Sequence, residues 1–370
     1  MVLPYLFYFV QALGADVFTY GLILTSYSLM QFISAPIIAR LSDRYGRRRI
    51  LLFALLVSGL SYFVLGTANA LWLIFLARML SGTTAATVPV AQAYVADVTN
   101  ENERIKYLGR LGAVSGIAFV SGSAIGGTLS GLFGYALPSF MASTFAFTNL
   151  VSAYFKLPEP EHAGRDPEKS AFTLKALRNL LKDRRMKILF AASFLFTVAF
   201  MFLQVVFPPW LQTNFGFGSF ETGLMFFYIG IVAAVTQGVF LPKLSAKRSP
   251  ATLVSYGLVI LAAGFVALAA VINLQSLLLI SILIPLGFGI LNTALNTLIS
   301  LSVPTEAQGG SLGIANSLGG LAQTITPAFA TILYAFGQSI GLNWFAFIIS
   351  GAITLSIIPI IASLRKQSKN

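Results

Sequence analysis

The sequence of 370 residues has no cysteine and one histidine, and only 10% of its residues carry a charge. The lack of cysteine excludes disulfides, thiolate metal sites and a cysteine nucleophile. The lone histidine, His162, lies in a polar segment and leaves no imidazole pair for a metal or a proton relay. No Walker-type glycine-rich loop occurs, which argues against ATP-driven chemistry on this chain. So few charges cannot clothe a soluble protein of this length. No basic residue precedes the first apolar run, so the pattern of a cleavable signal peptide is missing.

What is present is apolar. Hydrophobic residues make up 56% of the chain, and the mean hydropathy is +0.82. "ILLFALLVSGLSYFVLGTA" (50–68) and "LVSYGLVILAAGFVALAAVI" (253–272) carry no charge at all. An uncharged run of about 18 residues or more is long enough to cross a bilayer as a helix. Spans are expected at 17–40, 50–68, 71–96, 106–129, 133–155, 188–208, 221–242, 251–272, 276–300, 308–336 and 342–364. A twelfth, over Val2–Leu13, is expected to be incomplete, since twelve helical residues rise only about 18 Å against a hydrocarbon core of about 30 Å. The predicted class is an all-α polytopic membrane protein.

The basic residues sort themselves by connection. Of 24, five lie at 40–49, three at 104–110, nine at 156–187, three at 243–248 and three at 365–369. The intervening connections carry none. This alternation is the positive-inside pattern. It predicts that the 40–49 loop and the C-terminus face the cytoplasm, in the cell membrane. It also accounts for the net charge of +12 without a nucleic-acid partner; the expected partner is the lipid bilayer.

The longest basic connection, 156–187, holds Pro158, Pro160 and Pro167. It divides the chain into an N-terminal half (1–155), a linker (156–187) and a C-terminal half (188–370). "FTLKALRNLLKDRRMK" (172–187) spaces apolar residues helically between basic ones, as an interfacial helix does. The halves repeat weakly: Gly21-Leu22 matches Gly223-Leu224, Leu41-Ser42 matches Leu244-Ser245, and Leu108-Gly109 matches Leu312-Gly313. A same-direction repeat implies a pseudo-axis along the membrane normal, with two six-helix halves around a central cavity.

"ARLSDRYGRRRI" (39–50) concentrates five arginines and an aspartate. Gly46 permits a tight interhelical turn, and Asp43 can accept charge-assisted hydrogen bonds from neighbouring arginines. The stretch resembles the loop between helices 2 and 3 of the major facilitator superfamily, Gly-x-Leu-x-Asp-Arg-x-Gly-Arg-Arg. Leu41, Asp43, Arg44, Gly46, Arg47 and Arg48 match, and Ala39 replaces the first glycine. The likeness extends over essentially the whole chain, to the tetracycline and multidrug efflux branch in particular. It implies that Asp43 helps latch the two halves on the cytoplasmic side, with Asp97 as an arginine partner. The plainer reading of the loop is a topology anchor.

Three further sets of residues carry chemistry or packing. Arg78 is the one basic residue outside the cytoplasmic set, and a buried guanidinium in a membrane needs a partner or water. "RMLSG" (78–82), with Gly82, resembles the superfamily's Arg-x-x-x-Gly, which implies a part in proton transfer; snorkelling to the surface is the simpler alternative. "GSAIGG" (122–127) resembles the antiporter signature Gly-Pro-x-x-Gly-Gly, with Gly122, Gly126 and Gly127 in place and Ser123 for proline; such glycines also serve plain helix packing. Gln31, Gln204, Asn292, Asn296 and Gln323, with Phe200 among abundant aromatics, make up a candidate substrate cavity. Asn292 and Asn296 share one helix face. Amides with aromatics suit a bulky, largely apolar ligand, although interhelical hydrogen bonding and core packing would explain them too.

The expected function is a secondary transporter working by alternating access, a monomer that exports a hydrophobic or amphipathic small molecule. The resemblance implies protons as the coupling ion. A facilitator or importer of an uncharged solute is the alternative within transport. An intramembrane enzyme would need a nucleophile, an acid–base pair or a metal set, and none is visible; no metal and no cofactor are expected. None of the twelve acidic residues falls at mid-membrane, so weak or absent pH-gradient-driven accumulation is expected from this chain. Asp16 is the one fallback carrier near the outer edge. An incomplete first helix leaves open an earlier start that would contain another.

Overall fold

A computed structural model describes residues 1–85, 87–99, 101–159 and 183–367. Helices account for the regular structure, and no strand occurs among the described residues. In chain order they are α1 (Leu3–Ala12), α2 (Val17–Tyr45), α3 (Arg47–Gly66), α4 (Leu71–Ala85), α5 (Val88–Val98), α6 (Glu101–Phe133), α7 (Ala136–Lys156) and α8 (Arg184–Phe215). There follow α9 (Ser219–Val235), a π-helical turn (Thr236–Phe240), α10 (Leu241–Ser245), α11 (Pro250–Ala267), a 3₁₀ turn (Leu268–Ala270), α12 (Leu274–Ile280), α13 (Leu283–Leu301), α14 (Thr305–Ser339) and α15 (Phe345–Gln367).

Among the described residues, eight helical stretches are long and apolar enough to cross a membrane. Outside those eight, α7, α14 and α15 fall on the expected spans at 133–155, 308–336 and 342–364, with α7 starting at Ala136 and α15 at Phe345. Two of these carry many small polar groups, such as Ser139, Ser143, Thr144 and Thr148 in α7 and Ser311, Asn316, Ser317 and Gln323 in α14. The candidate interfacial helix at 172–187 lies outside the described residues as far as 182, and its last four residues open α8.

Among the described residues, two expected spans are interrupted, each beside a proline. Proline has no N–H, and its ring collides with the carbonyl four residues earlier. In the span at 71–96, the described residues form α4 and α5 on either side of residue 86, with Pro89 in the first turn of α5. The span at 276–300 divides into α12 and α13 ahead of Pro285. The span at 221–242 widens into the π turn just before Pro242, where the N–H of Leu241 reaches back five residues to the carbonyl of Thr236.

Local chemistry sets the other ends. Asp16 caps α2, accepting from the backbone N–H of Thr19 at 2.9 Å and from its hydroxyl at 2.7 Å. Asn273 and Ser276 close a reciprocal capping box on α12.

The chain divides into two compact units, Met1–Ala171 with Gly216–Phe227, and Phe172–Phe215 with Tyr228–Asn370. In the first, α3 packs on α7 and α4, α2 on α4, and α1 on α6. Short hydrogen bonds fasten these pairs: Ser143 donates to the Gly59 carbonyl at 2.8 Å, and the Ser61 and Ser81 hydroxyls meet at 2.8 Å. Such bonds take the place of the hydrophobic drive that a bilayer does not supply. The early turns of α9 group with this unit because Gly127 and Gly131 of α6 seat against Gly223 and Phe220. In the second unit, α11 packs on α13 and α15, and α8 on α14 and α15. There the Ser350 hydroxyl donates to the Ala199 carbonyl at 2.8 Å. The α3–α7 pairing of one unit recurs as α11–α15 in the other, at the same places in the weak sequence repeat.

Candidate functional site

The 39–50 loop is built on Gly46. Its φ of 98° stops α2 and starts α3 at once, and its N–H returns to the Ser42 carbonyl at 3.1 Å. The turn folds Arg47 back over α2. There Nη1 lies 2.6 Å from Asp43 Oδ1 and donates to the Ser42 hydroxyl at 3.1 Å, while Nε donates to Asp97 Oδ2 at 3.1 Å. One guanidinium thus joins two carboxylates from α2 and α5. Arg48 donates to the Tyr154 carbonyl at 2.6 Å and lies over the Tyr154 ring at 5.4 Å, and its backbone N–H reaches Glu159 at 3.3 Å. The Tyr94 hydroxyl donates to the Pro158 carbonyl at 2.8 Å. Arg44 lies over the ring of its neighbour Tyr45 at 5.3 Å.

Arg78 is buried at 7% exposure in α4, and its guanidinium lies over the Tyr27 ring of α2 at 4.9 Å. Its Nε has no hydrogen-bond partner among the described residues. Gly82, one turn along, explains how the ring reaches it: a Cβ there would strike the Tyr27 carbonyl and come within 3.0 Å of Met30. Within the 122–127 stretch, Gly122 and Gly126 face the backbone of Met1, and Gly127 faces Gly223.

Of the expected cavity residues, Phe200, Asn292 and Asn296 lie on α8 and α13 of the second unit. Phe200 of α8 stacks on Phe288 of α13 with ring centroids 3.9 Å apart, and Phe196 joins at 5.2 Å. One turn further along α13 from Phe288 come Asn292 and then Asn296, whose amide nitrogen lies 3.4 Å from the Asn292 carbonyl oxygen. Asn292, Thr293, Asn296, Thr297, Ser300 and Leu301 line a cavity of about 380 Å³. Gln31 is half-buried on α2 of the first unit; Gln204 on α8 and Gln323 on α14 are half-buried and outside this lining. Thr293, Thr297 and Ser300 join the lining although the sequence alone did not single them out. Their spacing of four and three from one another, flanking the asparagines, was the available signal.

Asp16 stands at the N-cap of α2. It is exposed, and the Thr19 hydroxyl and N–H hold its carboxyl below the usual carboxylate range.

The arrangement combines long apolar helices, a charge-dense loop on Gly46, a cavity lined by an uncharged polar stripe, and a phenylalanine stack one turn before that stripe on α13. The profile of the Major Facilitator Superfamily matches residues 1–327. The chain belongs to the major facilitator superfamily. It is 31% identical to the class C tetracycline resistance protein of Escherichia coli, over 92% of this chain and 86% of that protein. It is 27% identical to multidrug resistance protein 2 of Bacillus subtilis (strain 168), over 90% and 84%. The solved structure of a bacterial homologue of the human lysosomal transporter Spinster, inward-facing and occupied, shares the fold: the TM-score is 0.80 at 12% identity, over 99% of this chain and 92% of that one. The protein is therefore a multi-pass integral membrane transporter of this superfamily, and not an enzyme.

Proposed function

We propose that this superfamily member exports an amphipathic small molecule by alternating access, as a monomer in the cell membrane with its C-terminus in the cytoplasm. The cavity on α13 carries the reading. An aromatic shelf (Phe196, Phe200, Phe288) continues into a stripe of amides and hydroxyls, and the volume of about 380 Å³ falls in the range of small-molecule sites. A ligand with an apolar ring system and a polar edge fits both ends. The names of the tetracycline and multidrug resistance relatives support export. The loop of Asp43, Arg47 and Asp97 is the latch of this cycle, closing and opening the cytoplasmic side. Gln31, Gln204 and Gln323 serve helix packing rather than ligand contact.

Proton coupling does not run through Asp16. The Thr19 bonds that cap α2 favour its charged form, which supports a helix cap over a proton carrier.

The test is tetracycline flux into proteoliposomes holding the purified chain. Saturable flux above that of protein-free liposomes is expected. Flux that stays linear with concentration and equal to the protein-free control would refute transport of this probe class.

A further inference from the structure

The π turn at Thr236–Phe240 belongs neither to the latch loop nor to the cavity lining. Such turns interrupt an α-helix by one extra residue, rotating the rest of the helix, and occur often at functional positions. This one is held by three features. The N–H of Leu241 bonds the Thr236 carbonyl five residues back. The buried Thr236 hydroxyl donates to the Val232 carbonyl at 2.7 Å. Pro242 has no N–H to return to the carbonyls of the turn.

The turn rests on Gly289 of α13. A Cβ at position 289 would lie 3.2 Å from Thr236 Cγ2 and 3.3 Å from Gln237 Cγ. The glycine therefore lets the stem of Gln237 lie against α13. Gly289 begins a single helical stripe, because Asn292, Thr293, Asn296, Thr297 and Ser300 come after it at intervals of three and four residues. Those five residues line the cavity; Gln237 is exposed and outside that lining, with its stem against Gly289, one turn before Asn292 on the same row.

We propose that Gln237 is a specificity-determining residue of this cavity, and that the cavity takes the uncharged hydrogen-bonding edge of its ligand: hydroxyl, ketone or carboxamide groups. This rests on the transport reading. No residue of the lining carries a charge, so neither an ammonium nor a carboxylate finds a counter-ion there. Asn296 already bonds Asn292 at 3.4 Å, and the Thr297 hydroxyl bonds the Thr293 carbonyl at 2.8 Å. A purely apolar ligand would still desolvate the remaining donors and acceptors of these amides and hydroxyls, which is costly. A neutral edge with both donors and acceptors satisfies them, since each amide offers both. The π turn is the device that brings the third amide to the stripe.

Tetracycline, whose ketone and hydroxyl edge lies opposite its dimethylammonium and can enter the cavity without it, is the probe, again in proteoliposomes. Gln237→Leu and Asn292→Leu should each raise KM about tenfold, the worth of one net hydrogen bond, with kcat held within about twofold, because uniform binding is what is lost. Gly289→Ala should raise KM in the same direction with Gln237 intact, by pushing its stem off α13. Gln237→Asn should recover part of the loss, which a packing role would not predict. Elution of each variant as a single detergent-solubilised species separates these effects from misfolding. A wild-type chain without saturable flux would overturn the transport reading and this inference with it. Saturable wild-type flux, with KM unchanged in both Gln237→Leu and Asn292→Leu, would overturn this inference alone.

Discussion

Arg47 holds two carboxylates with one side chain that is only 20% exposed, while Asp43 and Asp97 are 45% and 26% exposed. Ion pairs this accessible stabilise a fold by about 0–1 kcal/mol each. Their effect should therefore appear in transport more than in stability. Asp43→Asn is expected to lower tetracycline flux several-fold while the protein still inserts and its thermal midpoint moves by only a few degrees, as about 1 kcal/mol would produce. Wild-type flux in that variant would reduce the loop to an anchor. Asp16 is the contrasting residue. Its folded carboxyl sits below the unfolded value, so its contribution to the cap is complete above about pH 4 and fades only as the pH falls further. Asp16→Asn keeps a capping side chain and should leave any pH-gradient-driven flux unchanged; loss of that flux would make Asp16 the carrier. At this scale the sequence revealed which residue types cluster, but not which arginine bridges. Asp43 and Arg47 are four apart and could be paired on paper. Asp97 arrives from α5 and Tyr27 from α2, and those meetings depend on helix crossings that spacing does not encode.

Helix crossings here turn on where side chains are missing. At Gly127 an added Cβ would lie 2.5 Å from the Gly223 Cα and 2.8 Å from the Ser219 carbonyl, both backbone atoms that cannot swing aside. Gly116 lies on the same helix with nothing within 4 Å. Gly127→Val should cost about 1–3 kcal/mol, as overpacking does, and Gly116→Val no more than about 0.5 kcal/mol. Thermal-shift curves of the two detergent-solubilised variants would check this, and equal midpoints would show that the α6–α9 contact is not tight. Apolar runs and turn residues made most helices legible, although the expected span at 276–300 did not allow for the break ahead of Pro285. The π turn was not legible. "TQGVF" has no π signature, and its cause is shared between Pro242 and a glycine on another helix, Gly289. The cavity was half legible for the same reason: Asn292 and Asn296 line it, whereas Phe200, which stacks on Phe288, and Gln204 and Gln323 lie outside that lining.

For the whole molecule, the central claim is that one ligand cavity opens to each side of the membrane in turn. The cysteine-free chain suits a direct measurement, because any introduced thiol is the only one. Thr293, exposed and on the cavity lining, is the position to use, with Ser42 in the basic loop as the reference for the cytoplasmic side. In oriented membranes, an impermeant maleimide should label Ser42→Cys from the cytoplasmic face alone. It should label Thr293→Cys from either face, and tetracycline should slow both reactions. Labelling of Thr293→Cys from one face only under every condition, or at rates that tetracycline leaves unchanged from both, would contradict alternating access through this cavity.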